Sequence, residues 1–544
     1  MTPTDTPPSD PGSGAPEPEQ RKAFTRFLDT VEWLGNLLPH PVTLFALFCM
    51  AVIVGSGVAS YFGLQVDDPR PEGARGRGPE GIIEVVSLLN AAGLRRILEN
   101  LVDNFVNFVP LGTVLVAMLG VGVAEKSGLL GAAIRAVVLR APRRLVTFVI
   151  VFAGVLSNTA SEMGYVVLVP LAGVIYHSLG RHPLAGMATA FAGVSGGYSA
   201  NLFIGTVDPL LSGITQASAQ LLDPEYTVNP AANWYFMAVS VMLVTGVAGW
   251  VSLAIVEPKL GPYDPSKAAD DLGDSNAAQP LTREEGRGLM WAGASLLVLN
   301  LVVGLLAFPE GAPLRNPETG LLVGPGGSPM LSSVVAFIFV FFLVPGFVYG
   351  RVTGSMKNDR DVIDAMATAM SSMGLYIVLV FFAAQFVAFF RWTELGSITA
   401  VLGAQLLRDV GLTGPEVFIF FILVCGFVNL MLGSASAQWA ITAPIFVPML
   451  MLIGYSPEVI QAAYRIGDSS TNIITPMMSY FGLILAAATR YQKDLGIGTM
   501  IAMMLPYSIF FLVGWTILFY LWTFVLGMPV GPGSPHEWGT GTAG

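Results

Sequence analysis

Charge is what this chain has least of. Only 12% of its 544 residues are Asp, Glu, Lys or Arg, about half the ~25% usual in soluble domains. Cysteine is nearly absent: Cys49 and Cys425 are the only two, both inside apolar runs, so neither a disulfide framework nor a cysteine metal site is expected. The four histidines are His40, His177, His182 and His536. The formal net charge of −10 comes without the clustered Lys and Arg that a nucleic-acid surface needs. These shortages exclude an ordinary cytosolic enzyme, a disordered scaffold and a nucleic-acid binder. Apolar residues are abundant at 53%, and over this length they describe an all-α polytopic membrane protein, because helices satisfy their backbone internally in lipid.

The first 20 residues carry six prolines, so residues 1–30 are expected to form a disordered cytoplasmic N-terminus. No cleavable signal is expected, since the first apolar run begins only beyond residue 40. Residues 31–530 read as the membrane domain and 531–544 as a flexible tail. A crossing helix needs ~20 apolar residues. Such runs fall at 41–64, 104–124, 183–207, 232–256, 288–308, 330–350, 365–390, 469–489 and 496–526. Two more do not fit one crossing: 145–180, whose only charge is Glu162, and 417–453, which has none. Both have small polar middles, Ser157-Asn158-Thr159-Ala160-Ser161-Glu162 and Gly433-Ser434-Ala435-Ser436-Ala437-Gln438-Trp439.

The positive-inside rule puts the Lys126–Arg144 segment, Arg181, Arg351–Arg360 and Arg490–Lys493 on the cytoplasmic side only if 145–180 enters and returns. The same counting makes 417–453 a hairpin entering from the other side. Nine transmembrane helices plus two re-entrant hairpins follow, with the N-terminus inside and the C-terminus outside. The Arg70–Arg77 and Arg95–Arg96 charges fall outside in this scheme, against the rule.

Each hairpin is followed by a proline-initiated helix with a polar interruption. The first broken helix, 183–209, contains Gly193-Val194-Ser195-Gly196-Gly197-Tyr198-Ser199-Ala200-Asn201 and ends at Asp208. The second, 457–489, contains Gly467-Asp468-Ser469-Ser470-Thr471-Asn472 and then Pro476. Opposite entry makes the two units an inverted-topology repeat, which in carriers places a binding site near the midplane. Hydroxyls, amides and freed carbonyls there suit Na⁺, and half-helix N-termini suit an anion. The plainer reading of any one serine is close helix packing. Asp208, Arg465, Asp468 and Glu162 are ionisable residues at membrane depth, where function is the default. An Arg465–Asp468 pair at i,i+3 that merely holds the helix is the alternative. Trp439 at a hairpin tip either stacks on a flat ring or fills core. Gly193-Val194-Ser195-Gly196 matches the short serine string of rhomboid-like proteases, but every histidine sits at a span end or in the tail, so no base is in reach. No enzyme is expected.

The strings Ser157–Val166, Gly180–Gly186, Phe191–Leu202, Gly205–Pro209 and Ser434–Pro448 closely resemble the AbgT family of transporters over about 30–530. The resemblance implies nine helices plus two hairpins in a homodimer, and ion-gradient-driven movement of p-aminobenzoyl-glutamate or export of sulfonamides. It implies transport roles for Asp208, Ser436, Trp439, Pro457, Arg465, Asp468 and Pro476. The expectation is a secondary transporter of the cytoplasmic membrane for an aromatic folate-type anion, with a dicarboxylate carrier as the alternative. Asn201, Ser436, Trp439, Arg465, Pro457 and Pro476 are the expected substrate contacts. Ser157, Asn158, Thr159, Asp208, Asp468, Ser469 and Asn472 are the expected contacts of the coupling Na⁺ or H⁺, with no other cofactor.

Overall fold

A computed structural model describes residues 39–74, 77–78, 80–160, 164–267, 280–323 and 327–539. The expected N-terminal segment 1–30 and Glu162 lie outside the described residues. In chain order the helices are α1 Pro41–Tyr61, α2 Ala91–Val106, α3 Val109–Lys126, α4 Leu129–Leu139, α5 Val146–Ser157, α6 Val169–Ser178, α7 Pro183–Phe191, α8 Val207–Ala219, α9 Trp234–Val251 and α10 Arg283–Ala307. They continue with α11 Val334–Thr353, α12 Asp359–Ser372, α13 Gly374–Trp392, α14 Leu395–Asp409, α15 Val417–Leu432, α16 Ala435–Met451, α17 Pro457–Asn472, α18 Phe481–Thr489 and α19 Ile497–Tyr520. Among the described residues, seven helices are long and apolar enough to cross a membrane by length and composition. The expected runs at 183–207 and 469–489 are not continuous helices.

Local chemistry explains most of the helix starts. Proline stands in the first turn of α1, α3, α6, α7 and α17, where its missing N–H costs nothing. Capping boxes start α10 at Thr282–Glu285 and α12 at Asn358–Asp361. The expectation of an all-α chain needs one small amendment: β1 Gln65–Asp67 pairs antiparallel with β2 Ile82–Glu84, Val66 opposite Ile83. This hairpin holds Arg70 and Arg77, whose charges opposed the positive-inside count, while Arg95 and Arg96 lie in α2. Arg70 is 5% exposed, pairs with Asp68 at 2.6 Å and donates to the Leu222 carbonyl. It is therefore neutralised within the protein and does not face headgroups.

Helices α3, α10, α11 and α12 form one packed group. There α11 approaches α3 so closely that a Cβ on Gly346 would lie 2.7 Å from Ala124 Cα, the small-residue contact by which membrane helices associate. The second group contains both hairpins, both broken helices, α9 and α19, and holds the largest apolar core. Helix α8 meets α3 between the groups.

The tail departs from expectation over its described part. Val530 is buried and its carbonyl accepts from Phe236 N–H; Ser456 bonds the Pro535 and His536 carbonyls; Trp538 N–H donates to Gly454. A Gly/Pro-rich composition forbids helix but not a docked strap whose backbone finds partners.

Candidate functional site

The two hairpins carry their polar tips to the two broken helices in matching ways. The first runs as α5, a 3₁₀ turn Asn158–Ala160 and α6, and the second as α15, a left-handed turn at Gly433 and α16. Each supplies one asparagine to a backbone carbonyl of the broken helix beside it. Asn158 Nδ2 donates to the Val194 carbonyl at 2.8 Å, and Asn429 Nδ2 to the Asp468 carbonyl at 2.9 Å. Close approach makes this possible: a Cβ on Gly193 would lie 2.6 Å from the Val151 carbonyl oxygen, and one on Gly467 2.5 Å from that of Ile422.

The first break overlaps the expected Gly193–Asn201 string but extends further along the chain, the second lies beyond its expected string, and proline explains the second. Ala192–Gly196 is a π-turn extending α7, after which the chain is irregular to Thr206. Asp208 does not end the first broken helix at 209; it sits in the first turn of α8, which runs on to Ala219. Its Oδ2 accepts from Gly205 N–H at 2.7 Å, an acid at a helix N-terminus. In the second unit Ser469–Asn472 are helical, and the break follows at 473–480 around Pro476, which lacks an N–H and disfavours helix before it.

The centre of the site is an ion pair different from the expected one. Arg465 Nη2 bonds Asp208 Oδ1 at 2.7 Å, joining the two broken helices, with Arg465 2% and Asp208 3% exposed. Asp468 does not pair with Arg465. It is 1% exposed, its Oδ2 lies 3.4 Å from Asn472 Nδ2, and its Oδ1 has no hydrogen-bond partner among the described residues. On α17, side chains three residues apart lie on one face, but Arg465 reaches α8 instead. Ser199 Oγ, Ser470 Oγ, Asn429 Oδ1 and Arg465 Nε are likewise buried without partners. Ser199 N–H donates to Ser469 Oγ at 3.1 Å, and Asn429 Nδ2 lies 2.7 Å from Asn472 Oδ1, so Ser199 and Asn429 each adjoin the last turns of α17. Buried polar atoms are seldom left unpaired in a folded protein, and where they are, an ion, water or ligand is the usual reason.

The remaining expected residues are distributed around this centre. Thr159 Oγ1 donates to Asn201 Oδ1 at 2.8 Å and Ser157 Oγ to the Gly154 carbonyl at 2.6 Å, both at the first tip. At the second, Ser436 stays with Ser434, their hydroxyls 3.4 Å apart. Pro457 opens α17 behind the N-cap Ser456, and Pro476 is half-buried in the break. Trp439 is fully buried and stacks on Tyr464, centroids 4.2 Å apart at 22°, while its indole N–H donates to Thr215 Oγ1 at 2.9 Å. Sequence reading missed Asn429, Thr215, Gln461 and Tyr464. Only Asn429 left a signal: it is the one polar side chain within α15.

Long apolar helices, two hairpins and two broken helices meeting at buried charge define a polytopic membrane carrier. A profile of the AbgT transporter family matches residues 26–538. The p-aminobenzoyl-glutamate transport protein of Escherichia coli (strain K12) is 36% identical over 505 residues, 92% of this chain and 95% of that protein. MtrF of Neisseria gonorrhoeae, representing a class of antimetabolite efflux pumps, superposes with a TM-score of 0.87 at 60% identity, covering 94% of this chain and all of that one. The YdaH transporter of Alcanivorax borkumensis, described as having an unusual topology, superposes with a TM-score of 0.83 at 44% identity, over 91% of this chain and all of that one. The chain belongs to the AbgT transporter family, whose members are transporters and not enzymes.

Proposed function

We propose that this protein is an ion-gradient-driven secondary carrier of p-aminobenzoyl-glutamate or a related aromatic folate-type anion. The observation that carries the reading is the buried Arg465–Asp208 pair beside the unpartnered carboxylate oxygen of Asp468. A substrate carboxylate would meet Arg465, whose Nε is unpartnered. The coupling Na⁺ or H⁺ would meet Asp468 Oδ1, with the amide oxygen of Asn429 buried unpartnered on the neighbouring helix, oxygen donors that suit a hard cation. The ring would meet Trp439. The E. coli relative supports this substrate class, and the 60% identity to MtrF favours a second reading, export of antimetabolites by the same site. The architecture proposed with it is a homodimer in the cytoplasmic membrane, nine spans plus two hairpins in inverted repeat. The paired bonds Asn158 to Val194 and Asn429 to Asp468 support the repeat.

Counterflow of labelled p-aminobenzoyl-glutamate in proteoliposomes, with Na⁺ and pH gradients imposed separately, tests this. Accumulation driven by one gradient is expected, abolished by Asp468→Asn with exchange retained. Accumulation by Asp468→Asn equal to the parent's would remove the carboxylate from coupling. Equally fast exchange of a simple aliphatic dicarboxylate would overturn the aromatic substrate.

A further inference from the structure

Trp439 is held by more than packing. Its indole is a donor-only group, so Thr215 Oγ1 must accept from it at 2.9 Å. The Thr215 hydroxyl then has one proton to give, and Gln461 Oε1 lies 2.5 Å away, with the Leu211 carbonyl at 2.8 Å. Gln461 Nε2 donates to Asn233 Oδ1 at 2.8 Å, and Asn233 Nδ2 to the Glu458 carbonyl at 2.8 Å. The backbone carbonyl can only accept. A donor-only group at one end and an acceptor-only group at the other therefore impose one orientation on every link between them. Thr215, Gln461, Asn233 and Glu458 are all buried, where such chains polarise one another and a broken link leaves orphaned groups on both sides.

The chain crosses four elements: α16 through Trp439, α8 through Thr215, α17 through Gln461 and Glu458, and the N-cap of α9 through Asn233. Far from the tip, the Glu458 carboxylate accepts from Tyr226 O–H at 2.9 Å, so residue 458 is anchored from a second direction. Near the tip, Tyr464 covers one indole face and its hydroxyl donates to the Ala435 carbonyl at 2.6 Å. The ring plane of Trp439 is thus set by an edge contact to one broken helix and a face contact to the other.

The geometry points to Thr215 as a specificity-determining positioning residue: acting through Trp439, and backed by Gln461 and Asn233, it sets the ring plane against which a flat substrate is selected. This rests on the reading of Trp439 under Proposed function. Two substrates separate ring recognition from carboxylate recognition: p-aminobenzoyl-glutamate, and cyclohexanecarbonyl-glutamate, which keeps the glutamate and lacks the flat ring. In proteoliposomes Thr215→Val is expected to raise KM about tenfold for the aromatic substrate, the scale of one lost buried hydrogen bond. Its kcat, and the KM of the cyclohexyl analogue, are expected to stay within about twofold. Thr215→Ser is expected to restore the parent values, and Thr215→Ala carries the same expectation as valine if the valine variant does not reach the membrane.

A second readout is independent of transport. The Trp439 indole N–H resonance in NMR spectra of the full chain, assigned by its loss in Trp439→Phe, is expected to move upfield in Thr215→Val and not in Thr215→Ser. An unmoved resonance, or equal loss for both substrates, overturns the role of Thr215. Selective loss in Trp439→Leu with an unaffected Thr215→Val removes this inference and leaves the substrate reading standing. An unchanged preference for the flat ring in Trp439→Leu removes Trp439 from substrate recognition, and this inference with it.

Discussion

Arg465 shows how a single side chain chooses between partners. The sequence offers Asp468 one turn away, yet the guanidinium reaches Asp208 across the interface of two broken helices. A buried pair of this kind contributes little net stability, but removing one member strands the other charge at a cost of about 3–5 kcal/mol. Asp208→Asn is therefore expected to lower the thermal unfolding midpoint of detergent-solubilised protein markedly. Arg465→Leu with Asp208→Leu is expected to recover most of that loss, because two apolar groups need no partner, while transport stays absent. A double variant that remained as unstable as either single change would show that the two residues do not act as a pair.

At the scale of elements, each hairpin is secured to a broken helix by one asparagine. Asn158→Leu takes the amide donor from the Val194 carbonyl, and Asn429→Leu takes it from the Asp468 carbonyl and Asn472 Oδ1; each is expected to cost about 1–3 kcal/mol. Exchange of the amides in Ala192–Gly196 or in Pro457–Asn472 respectively is expected to quicken, as measured by hydrogen exchange. A loss spread evenly over the molecule would contradict the local contact. The loop between β1 and β2 offers a pH-dependent counterpart. Burial pushes the Asp68 carboxyl up, but the hydrogen bonds and charge of Arg70, with Arg77 adding, outweigh it and hold the carboxyl below its ordinary value. A depressed carboxyl contributes its stabilisation fully above its unfolded value of about 3.9 and loses it as pH falls through the folded one. Protection of residues 64–74 in hydrogen exchange, corrected for intrinsic rates, is expected to persist to about pH 4 and fade below it. Asp68→Asn is expected to abolish that dependence, because no carboxylate then titrates beside Arg70.

For the whole molecule the decisive question is which segments share a side of the membrane. Both native cysteines are buried, so introduced cysteines report cleanly. One placed between Lys126 and Arg144 is expected to react only from the cytoplasm, and one near Thr227 only from outside. Reaction of the second from the cytoplasm would mean that 145–180 crosses once, and the inverted repeat would fall. The fold was legible where periodicity and length carry it. The seven apolar helices lie close to where hydropathy put them, apart from the helical break at Met373 between α12 and α13 and the second span, which starts with α2 at Ala91 and not near 104. Helices α4 and α14, at 11 and 15 residues, were not foreseen, because short segments beside basic residues read as loop until their apolar faces have something to pack against.

The sequence alone determined the membrane class, the hairpin tips and the family, since these depend on composition and on contiguous strings of residues. It also marked Asp208, Arg465 and Asp468, because charge at membrane depth is costly enough to be informative wherever it stands. Tertiary structure decided which of them pair. It seated Trp439 between Thr215 and Tyr464, turned Arg70 from an exposed charge into an internal one, and docked the tail through Trp538. Arg70 uses its neighbour Asp68 as well as the distant Leu222 carbonyl; the other three outcomes depend on contacts between residues at least tens of positions apart, or on backbone carbonyls presented by another element. A carbonyl has no letter in the sequence. Its availability to Arg70, Asn158, Asn429 or Ser456 exists only once helices end, break and approach one another.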